Sequence, residues 1–292
     1  MTSATRQPEK PATPAPAVPP RLIATDLDGT LLRDDKSVSE RTVAALAAAE
    51  AAGVEVFFVT GRPARWMDVV SDHVHGHGLA ICGNGAAVVD LHGGPGAHRF
   101  VKVRELPRAN ALEAVRLLRD AAPGTVYAIE QTYGFYQEPS YPKLHMEIPD
   151  HLAPAEQLLA PDAPGAGEPI LKILAFHPEL DPDVFLARAR LAVGDHATIT
   201  RSSPSALLEI SGPGVSKAST LALCCAERGI SPEEVVAFGD MPNDVEMLTW
   251  AGRSYAMGNA HPDAVAAASG RTVANNEDGV AVVVEEFLAA RP

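Results

Sequence analysis

The segment Arg21-Leu-Ile-Ala-Thr-Asp-Leu-Asp-Gly-Thr-Leu-Leu32 contains an apolar run that ends abruptly at two carboxylates. Residues 22–24 predict a short buried strand, and Asp26 and Asp28 follow it at once. In parallel α/β sheets, ligands bind just beyond the carboxyl ends of the strands. We therefore expect both acids to project from the tip of such a sheet into a cleft.

Two carboxylates separated by one residue can support phosphoryl transfer. An aspartate can attack phosphorus and form an acyl phosphate, and a second acid can protonate the leaving oxygen and later activate water. A hard divalent cation such as Mg²⁺, which prefers carboxylate and phosphate oxygens, would relieve their mutual repulsion. The alternative is a polar strand end followed by an acidic turn, because Asp-Gly turns are common.

Length and charge limit the possible functions. A chain of 292 residues is long enough for two domains. The net charge of −13 argues against nucleic acid or an anionic membrane as a main partner, and no apolar stretch is long enough to span a bilayer. An anionic substrate would therefore need a locally positive site, formed by a metal or a lysine. Three cysteines give no disulfide framework, so we expect a reducing, cytoplasmic compartment.

The first twenty residues differ from the rest of the chain. Prolines alternate there with alanine and polar residues, and no apolar core of a signal peptide is present. Residues 1–20 therefore predict a disordered, proline-rich tail. Binding of this tail to a partner that recognises proline motifs is the alternative.

Further polar signals follow two later strand-like segments. A predicted strand over residues 54–59 ends in Thr60-Gly61-Arg62, where a hydroxyl and free amides suit a phosphate oxygen. Standing alone, Thr60 fits helix capping better. Residues 79–82 predict a third strand, and the turn Gly83-Asn84-Gly85 lets the backbone or Asn84 approach a ligand.

The parallel-sheet pattern returns near residue 212. Ser216 predicts a helix N-cap, which places Lys217 in the first turn, where a lysine opposes the helix dipole unless an anion holds it. A solvated surface lysine is the alternative. A strand over residues 235–238 ends in a second acidic tip, with Asp240 and Asp244, and Asn243 is expected to cap the next helix.

Between these two parts the pattern changes to strand-like pieces with helices of their own, and residues 139–169 are rich in proline. Antiparallel strands with helices on one face are typical of an α+β unit. The sequence therefore predicts an α/β protein. Its Rossmann-like parallel core, with helices on both faces, would comprise residues 21–86 and 212–292, and an α+β cap would be inserted over residues 87–211.

Taken in order, the four polar segments resemble the signature motifs of the haloacid dehalogenase (HAD) superfamily. They are the Asp-x-Asp-Gly-Thr strand end, Thr-Gly-Arg, the lysine and Gly-Asp-x-x-Asn-Asp. The resemblance covers nearly the whole chain from Arg21. The long insert looks like the type-2 cap of the Cof-type phosphatases, and so do the runs Asn84-Gly85-Ala86 and Leu208-Glu209-Ile210.

The resemblance implies a role for each motif residue. Asp26 would be the nucleophile, Asp28 the general acid and base, and Thr60 a ligand of a phosphoryl oxygen. Lys217 would bridge the nucleophile and the phosphate. Asp26, the backbone carbonyl of Asp28 and Asp240 would bind Mg²⁺. The residues that would support the metal, the lysine or the phosphate are Asp244, Asn243, Gly61 and Asn84.

The implied enzyme is a Mg²⁺-dependent phosphomonoester hydrolase that forms an aspartyl phosphate, acting on a small phosphorylated metabolite such as a sugar phosphate. A phosphomutase or phosphotransferase would carry the same core motifs and stays open. A non-catalytic binding module would require broken motifs. Specificity would reside in the cap, where the candidate residues are Glu209, Lys172, Tyr133 and His145. Sheet packing of Tyr133 and a paired strand charge at Lys172 are the bland alternatives.

Overall fold

A computed structural model describes residues 19–71, 78–93, 96, 98–144, 148–202 and 205–290. Most of the predicted tail and the candidate residue His145 lie outside these described residues. In the described part of the chain, no helix combines the length and the apolar character needed to cross a bilayer.

The described residues form two sheets, with helices packed against each. The strands are β1 (Leu22–Thr25), β2 (Glu55–Val59), β3 (Leu79–Cys82), β4 (Ala87–Asp90), β5 (Arg99–Val103), β6 (Val126–Gln131), β7 (Phe135–Gln137), β8 (His151–Leu152), β9 (Ile170–Phe176), β10 (Thr198–Thr200), β11 (Leu207–Ser211), β12 (Val235–Gly239), β13 (Arg253–Ala256) and β14 (Gly270–Arg271). The helices are α1 (Glu40–Ala51), α2 (Asp68–Ser71), α3 (Arg108–Ala121), α4 (Ala155–Leu158), α5 (Pro182–Val193), α6 (Lys217–Glu227), α7 (Val245–Trp250), α8 (Pro262–Ala267) and α9 (Gly279–Ala289).

The large sheet has the strand order β14-β13-β12-β1-β2-β3-β4-β5 and is parallel from β14 to β3. Side chains alternate between its two faces, as strand geometry requires. Along β1, Ile23 packs on the face covered by α1 and α9, whereas Leu22 and Ala24 pack on the face covered by α6, α7 and α8. The predicted parallel core with helices on both faces is confirmed.

The hairpin formed by β4 and β5 corrects the predicted boundary at residue 87. Both strands are antiparallel to their neighbours and extend the large sheet beyond β3. Residues 87–103 therefore belong to the core sheet, although their alternating pattern suits either domain. We propose that the cap begins after Val103.

The cap is the second sheet, with the strand order β10-β11-β9-β6-β7-β8 and mostly antiparallel pairing. One face packs against α3, α4 and α5, through Ile173 and Phe185 among others. The other face carries the alternate residues of the same strands, including Lys172 and Glu209, and faces the cleft above the core. The cap thus has the predicted α+β character.

The chain crosses between core and cap twice, and the two crossings touch. A Cβ on Gly212 would lie 2.5 Å from the carbonyl oxygen of Glu105, so glycine permits this close approach. Arg104, beside the first crossing, donates to the hydroxyls of Ser219 and Thr220 on α6, each at 2.7 Å. The two connections are therefore fixed to each other and to the helix that follows the cap.

Candidate active site

Asp26 and Asp240 follow the adjacent parallel strands β1 and β12, so their side chains emerge at the same edge of the sheet. Lys217 reaches them from the first turn of α6, whose N-cap is Ser216 as predicted, with its Oγ accepting from Ser219 N. Lys217 Nζ donates to Asp26 Oδ1 at 2.5 Å and to Asp244 Oδ1 at 2.7 Å. Three segments that are remote in sequence therefore converge on one ammonium group.

Asp244 is held by the backbone of its own loop. Its Oδ2 accepts from the amides of Asp240 and Met241, both at 3.0 Å. A Cβ on Gly239 would lie 2.6 Å from Asp244 Cγ, so the glycine makes room for the carboxylate. Both oxygens of Asp244 are therefore engaged, and its Oδ1 orients Lys217.

The buried acids fit a divalent cation. Ligand oxygens of Asp26, Asp240 and Asp244 lie within 4.8 Å of one another, and Lys217 alone cannot neutralise three carboxylates. Burial raises the pKa of Asp26 well above its ordinary value, and Asp244 and Asp240 raise it further while Lys217 opposes them. Burial, with the charge of Asp244, raises the pKa of Asp240 to about 7. A cation would remove this cost.

Asp240 also has the room that a metal ligand needs. Its Oδ1 accepts from Thr30 Oγ1 at 2.9 Å, which fixes the carboxylate. A Cβ on Gly29, which has a φ of +76°, would lie 2.3 Å from Asp240 Oδ2. Among the described residues, Asp240 Oδ2 and Asp26 Oδ2 accept no hydrogen bond, so each carboxylate has one oxygen open to a ligand.

Asp28 does not join the acidic cluster through its side chain. Arg62 donates from Nε to Oδ2 at 2.6 Å and from Nη2 to Oδ1 at 2.7 Å, and Lys36 Nζ donates to Oδ1 at 2.8 Å. Burial alone would raise the pKa of Asp28, but the two cations outweigh it and hold this pKa at about 2. No role was predicted for Arg62 or Lys36, although the Thr-Gly-Arg tripeptide contained the signal for Arg62.

Thr60 lies at the end of β2, beside the acids, and it does not cap a helix. Its Oγ1 accepts from the amide of Arg62 at 3.1 Å. Asn84 binds this loop from the neighbouring turn, since its amide donates to the carbonyl of Thr60 at 3.0 Å. Asn84 holds a left-handed conformation with φ 55° and is almost fully buried.

Asn243 does not cap the next helix, and that prediction is wrong. Asp244 occupies the N-cap position of α7, because residues 242–244 form a separate 3₁₀ turn. The Nδ2 of Asn243 instead donates to Asn84 Oδ1 at 2.9 Å. The fourth motif is therefore linked to the Asn84 turn.

A cleft of 470 Å³ lies between these core residues and the cap. Its lining contains Asp26, Asp28 and Thr60 from the core and the side chains of Leu174 and Leu207 from the cap. Arg65 of the core and Glu130 of β6 form an ion pair across the cleft, which the sequence did not reveal. Both domains therefore contribute residues to one cleft.

Two cap candidates are in the cleft and one is not. Lys172 and Glu209 line the cleft but form an ion pair with each other, with Nζ 2.5 Å from Oε2. The bland alternative for Lys172, a paired strand charge, is correct. Tyr133 is 76% exposed, packs edge-on against Phe100 of β5 and does not line the cleft.

A family model described as haloacid dehalogenase-like hydrolase matches residues 23–284. The chain belongs to this family. HAD hydrolases generally use a divalent metal, in agreement with the buried acidic cluster of this chain.

Two relatives of this HAD hydrolase are named phosphatases. It is 31% identical over 280 residues to the 5-amino-6-(5-phospho-D-ribitylamino)uracil phosphatase YitU of Bacillus subtilis, with 92% of this chain and 98% of that protein covered. It is 30% identical over 284 residues to the pyridoxal phosphate phosphatase YbhA of Escherichia coli, with 92% and 98% covered.

Among solved structures, the HAD superfamily protein BT1666 of Bacteroides thetaiotaomicron has a TM-score of 0.76 at 22% identity. The match covers 96% of this chain and 99% of that protein, and it confirms the fold. The family and the named relatives together identify this HAD hydrolase as a phosphatase, so the predicted family and enzyme class are confirmed.

Proposed function

We propose that this phosphatase is a Mg²⁺-dependent phosphomonoester hydrolase in which Asp26 carries the phosphoryl group. The observation that supports it most is the position of Asp26 on the floor of the cleft, with one oxygen held by Lys217 and the other without a hydrogen-bond partner among the described residues. A nucleophilic carboxylate needs such a fixed orientation and one accessible oxygen.

In the first step an Asp26 oxygen forms a bond to phosphorus as the bond from phosphorus to the ester oxygen breaks. Asp28 gives its proton to that leaving oxygen. In the second step Asp28 takes a proton from water, the water oxygen bonds to phosphorus, and the bond to Asp26 breaks. Orthophosphate leaves and both carboxyl groups return to their starting states.

Asp28 must be released from Arg62 and Lys36 and take up a proton from solvent before it can donate one, because both cations hold it ionised. The entering phosphate is itself a dianion and competes for the same two cations. Binding of the phosphate therefore frees the acid at the moment when it is needed. Thr60, at the adjacent strand end, would hold a phosphoryl oxygen.

Asp26, Asp240 and the backbone carbonyl of Asp28 would hold Mg²⁺, and the Asp26 oxygen that does not bind the ion would attack phosphorus. When bound, the ion supplies positive charge that draws the phosphate to an acidic site and offsets the charge that develops in the transition state. Asp244 would support the site through its two oxygens, which orient Lys217 and close the loop after β12. Lys217 would stabilise the same developing charge.

The substrate would be a small phosphorylated metabolite. The cleft volume of 470 Å³ is within the range of small-molecule sites, and the relatives named above act on a phosphoribitylamino-uracil and on pyridoxal phosphate.

All three cysteines are buried and unpaired, which supports a reducing, cytoplasmic compartment.

The test uses protein stripped with a chelator. Adding MgCl₂ should restore release of phosphate from an aryl phosphate and from members of a panel of phosphorylated metabolites, and Asp26→Asn should abolish it. With a substrate that carries a labelled phosphoryl group, label that appears on an added sugar and not in free phosphate would identify a phosphotransferase instead. No turnover of any phosphomonoester with Mg²⁺ would contradict the proposal.

A second readout tests the metal site without activity. MgCl₂ should raise the thermal midpoint of the wild type, because an ion that binds only the folded state stabilises it. Asp240→Asn should lose most of this shift, while its metal-free form should be more stable than the metal-free wild type because one buried charge is gone. A magnesium shift of equal size in both proteins would exclude Asp240 as a ligand.

A further inference from the structure

Lys172 and Glu209 lie on adjacent antiparallel strands of the cap, β9 and β11, on the face that points toward the core. Glu209 is opposite Leu174, so Lys172 is its diagonal neighbour two residues away. Their side chains are only 5% and 3% exposed. Burial would raise the pKa of Glu209, but Lys172 and two hydrogen-bond donors outweigh it and lower this pKa. The pair is therefore buried and charged.

The lysine extends out of the cap and binds the core. Besides Glu209, Lys172 Nζ donates to the backbone carbonyl of Gly61 at 2.7 Å. Gly61 lies between Thr60, which would hold a phosphoryl oxygen, and Arg62, which binds Asp28. A cap side chain thus binds the core loop on which the proposed chemistry depends.

Glu209 completes the contact from the other side. It accepts hydrogen bonds from the hydroxyl of Ser202 and the side chain of Asn84. Asn84 in turn is bonded to the carbonyl of Thr60 and to the amide of Asn243. Through the buried side chain of Asn84, Glu209 is therefore linked to the loop of residues 60–62 and to the loop that contains Asn243.

The junction is closely packed around Gly61. A Cβ added to Gly61 would lie 3.3 Å from both Glu209 Oε1 and Asn84 Oδ1. A substrate hydroxyl that took either partner would leave the other as an unpaired charge in a buried site, which is costly. A direct substrate contact by Lys172 or Glu209 is therefore disfavoured, although both line the cleft.

We infer that Lys172 and Glu209 are positioning residues that seat the cap on the loop of residues 60–62. This inference rests on the proposed phosphatase site and adds to it. The geometry of Thr60 and Arg62 depends on the cap through two contacts. Lys172 donates a hydrogen bond to Gly61, and the carboxylate of Glu209 accepts one from Asn84. Turnover of every phosphate ester should therefore require an intact pair, whatever the leaving group.

The experiment compares Lys172→Met, Lys172→Arg and Glu209→Gln with the wild type. A matched control is Lys102→Met, which removes a lysine from a surface ion pair with Glu227 on the core. For each protein, kcat/KM is measured for a small aryl phosphate and for the best metabolite of the panel, and inorganic phosphate is titrated as an inhibitor. The substitution Lys172→Arg preserves the charge and should restore part of the loss.

We expect Lys172→Met to reduce kcat/KM by the same factor for both substrates, about 10- to 100-fold, as for other residues that orient a site from behind. The inhibition constant of inorganic phosphate should rise in parallel, and the control should match the wild type. A loss confined to the larger substrate, with unchanged phosphate inhibition, would make the pair a substrate contact and overturn the inference. Unchanged kinetics in all variants would overturn it too.

Amide hydrogen exchange separates this inference from the proposed function. In Lys172→Met, exchange should accelerate at residues 60–62 and 83–85 and stay unchanged in β12 and α9, whether or not the protein hydrolyses phosphate esters. Equal exchange in variant and wild type at those loops would refute the junction even if phosphatase activity is found. If Lys172→Met does not fold, Glu209→Gln, which retains the hydrogen-bonding shape, gives the same comparison.

Discussion

Replacing Lys217 by methionine tests whether one ammonium group organises the acidic cluster. Methionine has a similar length and remains apolar, so the substitution removes the charge with little change in packing. Lys217 is 1% exposed and contacts the carboxylates of Asp26 and Asp244. Burial alone would lower the pKa of Lys217, but these two carboxylates outweigh it and raise this pKa, so the removed group is a cation at every working pH.

Two magnitudes follow from these contacts. Breaking a buried ion pair by removing one partner costs about 3–5 kcal/mol of unfolding free energy, because the remaining charge has lost its partner. Loss of one preorganised group that stabilises transition-state charge lowers kcat by about 10²–10³. The stability loss should grow as pH rises through the folded-state pKa of Asp26, which lies well above its unfolded value, because protonation of Asp26 below that pKa relieves the unpaired charge.

Urea unfolding in the presence of a chelator measures the first effect at several pH values, and phosphate release with saturating Mg²⁺ measures the second. Lys217→Arg retains a charge and should lose less stability than Lys217→Met, and Lys102→Met serves as the surface control. A methionine variant within 1 kcal/mol of the wild type at pH 8, or with kcat reduced less than about threefold, would refute the reasoning.

Two further predictions concern a glycine and a carboxylate. Gly85→Ala should cost more stability than Gly53→Ala and should also lower kcat. Both glycines have a positive φ, but only a Cβ on Gly85 would collide, because it would lie 2.3 Å from the carbonyl oxygen of Ser216, the residue before Lys217. Thermal melts and turnover measurements check this, and equal effects of the two substitutions would contradict it. The stability that Glu209 contributes should be present above its ordinary pKa of 4.5 and disappear as pH falls through its lowered folded-state pKa. Unfolding free energies of wild type and Glu209→Gln should therefore converge at acidic pH, and a constant difference would exclude this origin.

The sequence was sufficient for the core of the fold and for the location of the acids. Alternation at Leu22 and Ile23 reflects burial on two faces, and Asp26 and Asp240 follow adjacent parallel strands. These features are local, because a strand period and the residue after it can be read from a few positions. The N-cap at Ser216 is local as well.

Features that depend on strand order could not be predicted in this way. The hairpin of residues 87–103 has the same alternating pattern in either domain, so its place in the large sheet was missed. Lys172 and Glu209 are 37 residues apart, and their contact depends on β9 lying beside β11. Arg62 was visible as part of a motif, but its bond to Asp28 is set by the fold of two loops.

The touching crossings at Glu105 and Gly212 make the cap a detachable module. When a segment leaves and rejoins a scaffold at one point, the scaffold can be closed without it by a short linker at small entropic cost. A core with a few residues in place of the cap should thus remain a foldable unit. Different caps could be joined at this point, altering which esters are admitted, provided that each retains the contact of Lys172 and Glu209 with the loop of residues 60–62.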